Sequence, residues 1–274
     1  MTSLAELRPI NDATTQTLEI ASRSALLLSA SNEMPLRPQD EALLQDMEMF
    51  RFGVGDSRVG WMIGSGPLVI LVHGYGGRGV QMARLAQTVS TKGFRCAFFD
   101  AGGHGASRKE KIGFFTFMND VRDLLAHLQE PVHALIGHSA GALAMMRARA
   151  LYGVSANRYA AISAPVYPYV PLNSLRQNGV PETAVEAMKL NLADQFQMTW
   201  SELVSGACFA PDNAKDILLI YDRQDPRVQH EDADQIAVLW SHSYLLKTDG
   251  HGHNKILTAP ETLRKIADWI EKPL

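Results

Sequence analysis

Cysteine is scarce in this chain: Cys96 and Cys208 are the only two among 274 residues. Two cysteines cannot build a disulfide framework. Cys96 also falls in an apolar run that reads as a buried strand, so both are expected as free thiols in a reducing compartment. Long apolar runs are missing as well. None approaches the roughly 20 residues that a membrane helix needs, so no membrane span is expected. Nor is there an excess of positive charge, since 26 Lys and Arg face 29 Asp and Glu for a formal net charge of −3. That balance gives no basic footprint and excludes nucleic acid as an expected partner. The N-terminus lacks the pattern of a secretory signal. Its best apolar run, Ala25-Leu26-Leu27-Leu28, is short and follows Glu6, Asp12 and Glu19. The same acidic residues argue against a transit peptide, and the expectation is a cytoplasmic protein.

What is present is a large apolar share, 46% of residues against 20% charged. That suffices for the core of one large domain, or of one domain with an insert. From about residue 68, short apolar runs alternate with helical patterns. The runs are Leu68 to Val72, Arg95 to Phe99, Val132 to Ile136, Tyr159 to Ile162, Ile217 to Tyr221 and Tyr244 to Leu246. Unbroken runs of this length suit parallel strands buried on both faces. Between them, Val80 to Thr91 and Phe117 to Leu128 carry apolar residues at helical spacing, and Gly93 and Gly153 stand where helix C-caps belong. Repeated βα units predict an α/β fold with a mostly parallel central sheet and helices on both faces. Met49 to Val54 and Arg58 to Ile63, separated by Gly55-Asp56, read as an antiparallel hairpin on the sheet edge.

Three regions follow from this pattern. Residues 1–45 are an extension expected to pack on the core, with a helix over Thr14 to Leu28 and an extended connector from Met34-Pro35 to Pro38. Residues 46–163 and 212–274 make the core. Residues 164–211 break the alternation. They begin Ala164-Pro165-Val166-Tyr167-Pro168-Tyr169-Val170-Pro171, too proline-rich for a helix or a central strand. Pro181 to Gln195 and Thr199 to Val204 then read as helices, with Glu182 suited to a first turn. The segment is read as a small helical cap over the strand ends, with a long helical crossover as the other reading.

Gly137-His138-Ser139-Ala140-Gly141 spells G-x-S-x-G. A strand leads into it and a helical stretch, Ala142 to Ala150, follows, which is the setting of a nucleophile elbow. A side chain at Gly137 or Gly141 would strike neighbouring backbone. The serine itself is expected in a strained conformation that lifts its hydroxyl onto the positive end of the helix. A serine hydroxyl is a poor nucleophile at neutral pH; it needs a histidine base, and the base needs a carboxylate. With such an elbow the partners follow in the order serine, acid, histidine. Asp222 and Asp225 lie after the strand ending at Tyr221, and His251 and His253 lie after the strand ending at Leu246. The His251-x-His253 pair has no carboxylate or cysteine cluster to complete a metal site, so neither metal nor cofactor is expected. Gly74 to Gly79 is glycine-rich after a strand. It lacks both the G-K-[ST] ending of a P-loop and the G-x-G-x-x-G spacing, which disfavours nucleotide binding.

Taken together, these motifs resemble the α/β-hydrolase family of the lipase/esterase type, across nearly all of residues 48 to 274. His73-Gly74-Tyr75-Gly76-Gly77 resembles its H-G-x loop, and Asp100-Ala101-Gly102-Gly103-His104-Gly105-Ala106-Ser107 resembles its D-x-x-G-H-G-x-S turn. Asp225-Pro226-Arg227-Val228 and Gly252-His253 resemble its late D-x-x-V and G-H landmarks. The resemblance implies Ser139 as nucleophile, Asp225 as acid and His253 as base. Asp222 occupies the place of a glycine in the family's G-x-x-D-x-x-V pattern, and this departure keeps it as the alternative acid; its plainer role is a turn residue bonding its own backbone. His253 is preferred to His251 because Gly252-His253-Asn254-Lys255-Ile256-Leu257 matches the G-H-x-x-I-L ending of similar esterases. The amide of Ala140, after the nucleophile, and by resemblance that of Tyr75 would form the oxyanion hole. His73 and His104 are read as structural.

The implied activity is hydrolysis of a carboxylic ester of a small or medium apolar molecule through an acyl-enzyme. A thioesterase, a C–C bond hydrolase or a cofactor-free haloperoxidase would use the same triad. A non-catalytic ligand-binding relative is the alternative of another class, although binding alone needs no aligned base. Epoxide hydrolases and dehalogenases of this fold carry aspartate at the elbow. Apolar residues of the cap segment, among them Val166, Tyr169, Val170, Phe196 and Met198, could line a pocket or pack the cap on the body. Tyr167, Met188 and Trp200, with His138 from the elbow, are the expected substrate contacts.

Overall fold

In the computed structural model, side chains of the central strands alternate between two buried layers, which is why the sequence shows unbroken apolar runs rather than an alternation. The structure describes residues 35–211 and 215–273, so the expected helix over Thr14 to Leu28 lies outside the described residues. The strands are β1 (Glu48–Phe52), β2 (Arg58–Ile63), β3 (Leu68–Val72), β4 (Arg95–Asp100), β5 (Val132–His138), β6 (Arg158–Ile162), β7 (Asp216–Asp222) and β8 (Ser243–Thr248). They form one sheet in the order β1-β2-β4-β3-β5-β6-β7-β8. The β1–β2 and β2–β4 pairs are antiparallel, so the expected hairpin does sit at the edge. All pairs from β4 to β8 are parallel.

The helices are α1 (Pro38–Leu44), α2 (Ala83–Ser90), α3 (Phe114–Leu128), α4 (Ala140–Tyr152), α5 (Val170–Gln177), α6 (Glu182–Phe196), α7 (Trp200–Val204), α8 (Asp232–Leu239), α9 (Gly252–Lys255) and α10 (Pro260–Ile270). Val69, Leu71, Phe98, Ile136, Ile162 and Ile220 point to one layer and pack with Leu85 and Val89 of α2 and Ile266 and Trp269 of α10. Ile70, Val72, Phe99, Leu135 and Leu219 point to the other and pack with Phe117 and Val121 of α3, Leu143 and Met146 of α4 and Ile236 of α8. These are helices on both faces of a mostly parallel sheet, the α/β-hydrolase arrangement.

Two proline readings need correction. Pro38 opens α1 rather than closing an extended connector, and Pro171 stands in the first turn of α5, a helix absent from the sequence reading. A proline in the first turn loses no intrahelical bond, because the first amides have no partner in any case. Gly153 caps α4 in the left-handed conformation, φ 69°, as expected. Helices α5 to α7 all lie between β6 and β7, and their buried Leu172, Leu175, Val185, Leu192 and Leu203 join the layer against α3 and α4. Among the described residues, no helix is long and apolar enough to cross a membrane.

Strand order decides where the site is. The chain runs from β3 outward to β4 and then back across to β5, so direction reverses between β3 and β5. Loops leaving the carboxyl ends of these two strands diverge at that point and leave a crevice. The register aligns Val72 with Gly137 and His138 with Ile162, which brings the loop after β3 and the turn after β5 side by side.

Candidate active site

Ser139 follows β5 directly and precedes the first residue of α4, with φ 51° and ψ −123°. A non-glycine residue at positive φ costs about 1–3 kcal/mol and persists only where its surroundings impose it. Here the imposition is close packing. A Cβ at Gly137 would lie 2.4 Å from the Ala142 Cα, and one at Gly141 would lie 2.2 Å from the His73 carbonyl oxygen. Glycine is required at both places because backbone passes where a methyl group would stand. The Ser139 amide donates to the Ile162 carbonyl at 2.9 Å, and its own carbonyl accepts the Leu143 amide at 3.2 Å.

Ser139 Oγ lies 3.0 Å from His253 Nε2, and His253 Nδ1 lies 2.7 Å from Asp225 Oδ2. His253 and Ser139 are both buried. The carboxylate can only accept, so Nδ1 carries the proton and the Nε2 lone pair faces the serine. Asp225 Oδ1 accepts the amides of Arg227 at 2.8 Å and Val228 at 3.1 Å. Burial opposes the Asp225 charge, but the His253 hydrogen bond and these amides hold its carboxyl below the usual carboxylate range.

Asp222 is placed differently. It is fully buried at the end of β7, where its carboxylate accepts the Thr248 hydroxyl at 2.8 Å and the amides of His251 at 3.0 Å and Gln224 at 3.0 Å. Its bonds tie the acid loop to the base loop. Asp222 thus braces both loops, while Asp225 meets the histidine. His251 turns away, with Nε2 2.6 Å from the Glu261 carboxylate at the start of α10.

The loop carrying Tyr75 and the Asp100–Ser107 turn are strapped together by side chains of both. His73 Nε2 accepts the Ala101 amide at 3.0 Å, leaving Nδ1–H for the Gly74 carbonyl at 2.7 Å. His104 Nε2 accepts the Gly76 amide at 3.1 Å, leaving Nδ1–H for the Gly102 carbonyl at 3.0 Å. Asp100 accepts the Gly79 amide at 2.6 Å and the Ala106 amide at 2.7 Å. Burial pulls His73 down to about 4 and His104 down to about 3, so both stay neutral and keep these tautomers. These histidines fix the loop and do not reach the serine by any hydrogen bond.

A cavity of about 670 Å³ opens over Ser139 and His253. Tyr75 and Ala140, the two expected oxyanion residues, both line it. Its apolar wall includes Ile112, Phe114, Pro165, Val170, Met188 and Leu192, and its polar wall includes Ser174, Asn191 and Gln195. Of the four expected substrate contacts, Met188 alone is in the wall. His138 is buried behind the base, where its Nε2–H donates to the His253 carbonyl at 2.9 Å and burial pushes its ring down to about 3. Tyr167 and Trp200 pack edge to face with ring centres 5.7 Å apart, away from the cavity wall. Aromatic rings bury more area against one another than at a wet mouth, and nothing in their local sequence marks which partner each will find. Lys111, Phe115, Gln195 and Arg227 are wall residues that sequence reasoning missed. Arg227 could have been found, because it lies two residues past the acid. Gln195 could not, because α6 must first dock for its Oε1 to accept the Phe114 amide at 2.8 Å. Among the described residues there is no group of three or more His, Cys, Asp or Glu that could hold a metal ion.

A mostly parallel sheet covered by helices on both faces, with a serine elbow at the switch point, defines the class as α/β hydrolase. A family model described as serine aminopeptidase, S33, matches residues 66–231, and the chain belongs to that family. Over 145 residues it is 27% identical to the non-heme chloroperoxidase CPO-A1 of Kitasatospora aureofaciens, covering 52% of this chain and 53% of that protein. The chain therefore spans about half the length of the curated relatives it matches. Among solved structures it is similar to an esterase of Pyrococcus furiosus, with a TM-score of 0.63 and 18% identity over 89% of this chain and 97% of that one. It is also similar to the thioesterase domain from the curacin biosynthetic pathway, with a TM-score of 0.60 and 18% identity over 82% of this chain and 99% of the other. At such identities the two structures speak for the fold.

Proposed function

We propose that this hydrolase is a carboxylesterase that works through an acyl-enzyme on Ser139. The observation that carries the reading is the continuous chain of hydrogen-bonding atoms from Ser139 Oγ through His253 to Asp225, at 3.0 and 2.7 Å. In the first half-reaction the Ser139 oxygen attacks the ester carbonyl while His253 Nε2 takes its proton. The imidazolium so formed is stabilised by the Asp225 carboxylate. The amides of Ala140 and Tyr75 receive the negative oxygen of the tetrahedral intermediate. The intermediate collapses, the ester C–O bond breaks, and His253 returns the proton to the leaving alcohol. Water then gives a proton to His253 and attacks the acyl-enzyme, releasing the acid and free Ser139. Residues 164–211 serve as the cap whose Val170, Met188 and Leu192 supply the apolar wall. Treatment with a fluorophosphonate should label Ser139, with the site read by mass spectrometry. p-Nitrophenyl esters should be hydrolysed by the wild type and not by Ser139→Ala. An unlabelled wild-type protein that cleaves no ester would overturn the proposal.

A second reading has one observation in its favour, the similarity to a non-heme chloroperoxidase. If hydrogen peroxide replaced water against the acyl-enzyme, the product would be a peroxyacid, which oxidises halide. Bromination of a diketone by the protein with acetate, peroxide and bromide, abolished in Ser139→Ala, would support it.

A further inference from the structure

The charge of the cavity wall departs from that of the chain. The whole sequence has more acidic than basic residues, yet the wall holds Lys111 and Arg227 and no Asp or Glu. Among the described residues, neither side chain has an ion-pair or hydrogen-bond partner for its charged end. Both residues are exposed at the cavity, and each has a main-chain group bonded to a neighbouring side chain. The Arg227 amide is bound to Asp225 Oδ1 at 2.8 Å, and the Lys111 carbonyl accepts the Thr116 hydroxyl at 3.4 Å. Ser174, Asn191 and Gln195 add neutral hydrogen-bonding groups to the same wall. Unpaired cations also bear on the chemistry. A cation lining the same cavity as the reacting serine lowers the energy of a bound anionic group. Resting on the esterase reading, we infer that the substrate carries an anionic oxyacid group, a carboxylate or a phosphate, which Arg227 and Lys111 receive while Ser139 attacks the ester. Arg227 presents a planar fork to such a group and Lys111 a point charge.

The test is a ratio, so that loss of folded protein cancels. kcat/KM is measured for a p-nitrophenyl half-ester of succinate, for a phosphate-bearing aryl ester of equal length, and for the methyl-capped neutral analogue of each. The wild type should favour at least one anionic ester over its neutral analogue by about tenfold at low salt. Exposed ion pairs contribute about two- to fivefold each, so the ratio should fall by about that factor in Arg227→Gln or Lys111→Gln, and by about tenfold in the double variant. Arg227→Lys should restore part of it, and raising ionic strength should erode it. A larger ratio for the succinate ester identifies a carboxylate, and a larger one for the phosphate ester a phosphate. Equal rates for both anionic esters and their neutral analogues, or a ratio unmoved in the double variant, would overturn the inference. That failure is distinct from failure of the esterase reading, in which no ester is cleaved and no probe is taken up.

Discussion

The two walls of the cavity are built in different ways. On the sheet side, side chain-to-backbone bonds from His73, His104 and Asp100 join the loops after β3 and β4, Asp222 joins the end of β7 to the loop after β8, His138 joins the end of β5 to that same loop, and Asp225 bonds main chain within its own loop. Each of these groups is tied to main chain, and a small displacement would break several bonds at once. On the helical side, α5 and α6 are held mainly by apolar packing, such as Phe114 against Phe196 with ring centres 4.7 Å apart. Their few polar anchors include Gln195 to the Phe114 amide and Arg147 to the Phe196 carbonyl at 2.7 Å. Tyr169 adds another, donating to Asp232 at 2.6 Å and accepting the Gln229 amide at 3.0 Å. A directional network fixes geometry to fractions of an ångström, whereas apolar packing tolerates exchange of side chains of similar volume. The lesson is that the first wall is suited to carry the reaction and the second to carry the choice of substrate.

The comparison breaks most visibly at the acid. Asp225→Asn should lower kcat by about 10⁴-fold, because the amide no longer holds the His253 tautomer. Asp222→Asn should lower kcat by less than about tenfold while costing about 1–3 kcal/mol of stability, since it leaves buried donors poorly matched. Steady-state kinetics and urea unfolding of the two variants decide this, and the opposite pattern would exchange their roles. Next in size is Gly141→Ala, whose Cβ meets the His73 carbonyl at 2.2 Å. Urea unfolding should show a loss of about 3 kcal/mol or more, since neither backbone segment can yield.

A smaller effect probes the join between the walls. Burial raises Asp232 to about 6, so the folded protein holds that proton more tightly than the unfolded chain does. The resulting stability is fully present below about pH 4 and is lost as pH rises through about 6. Asp232→Asn should flatten this dependence by about 2 kcal/mol across that window, measured by thermal or urea unfolding at each pH. An unchanged profile would mean that the Tyr169–Asp232 join is not titrating. The mildest change is Met188→Ala, which widens the apolar wall. It should raise the ratio of kcat/KM for long over short acyl esters by about tenfold, a difference of one or two methylenes in the fit. No change in that ratio would remove α6 from substrate selection.

Much of the sheet side was legible because its signals are local. Gly137 and Gly141 bracket Ser139 within five residues, and each apolar run maps to one strand. The ambiguity between Asp222 and Asp225 was real, since Asp222 ends β7, Asp225 lies three residues on, and both are carboxylates. Their different bonds arise only when β8 delivers Thr248, His251 and His253 alongside. Helix α5 was hidden because Pro171 reads as a breaker unless the helix start is known. Tyr167 and Trp200 read as pocket residues because an aromatic in an insert carries no local mark of what it will pack against.

By itself, the sequence determined the α/β class, the elbow, and the order of candidate acid and base. Those features rest on main-chain sterics and on burial periodicity, which act within a few residues. The tertiary structure alone decided which aspartate meets His253, that His138 sits behind the base, and that Lys111, Gln195 and Arg227 share a cavity with Ser139. These depend on segments far apart in the chain, such as Ser139 and His253 at 114 residues, which only the assembled sheet brings within a hydrogen bond of one another.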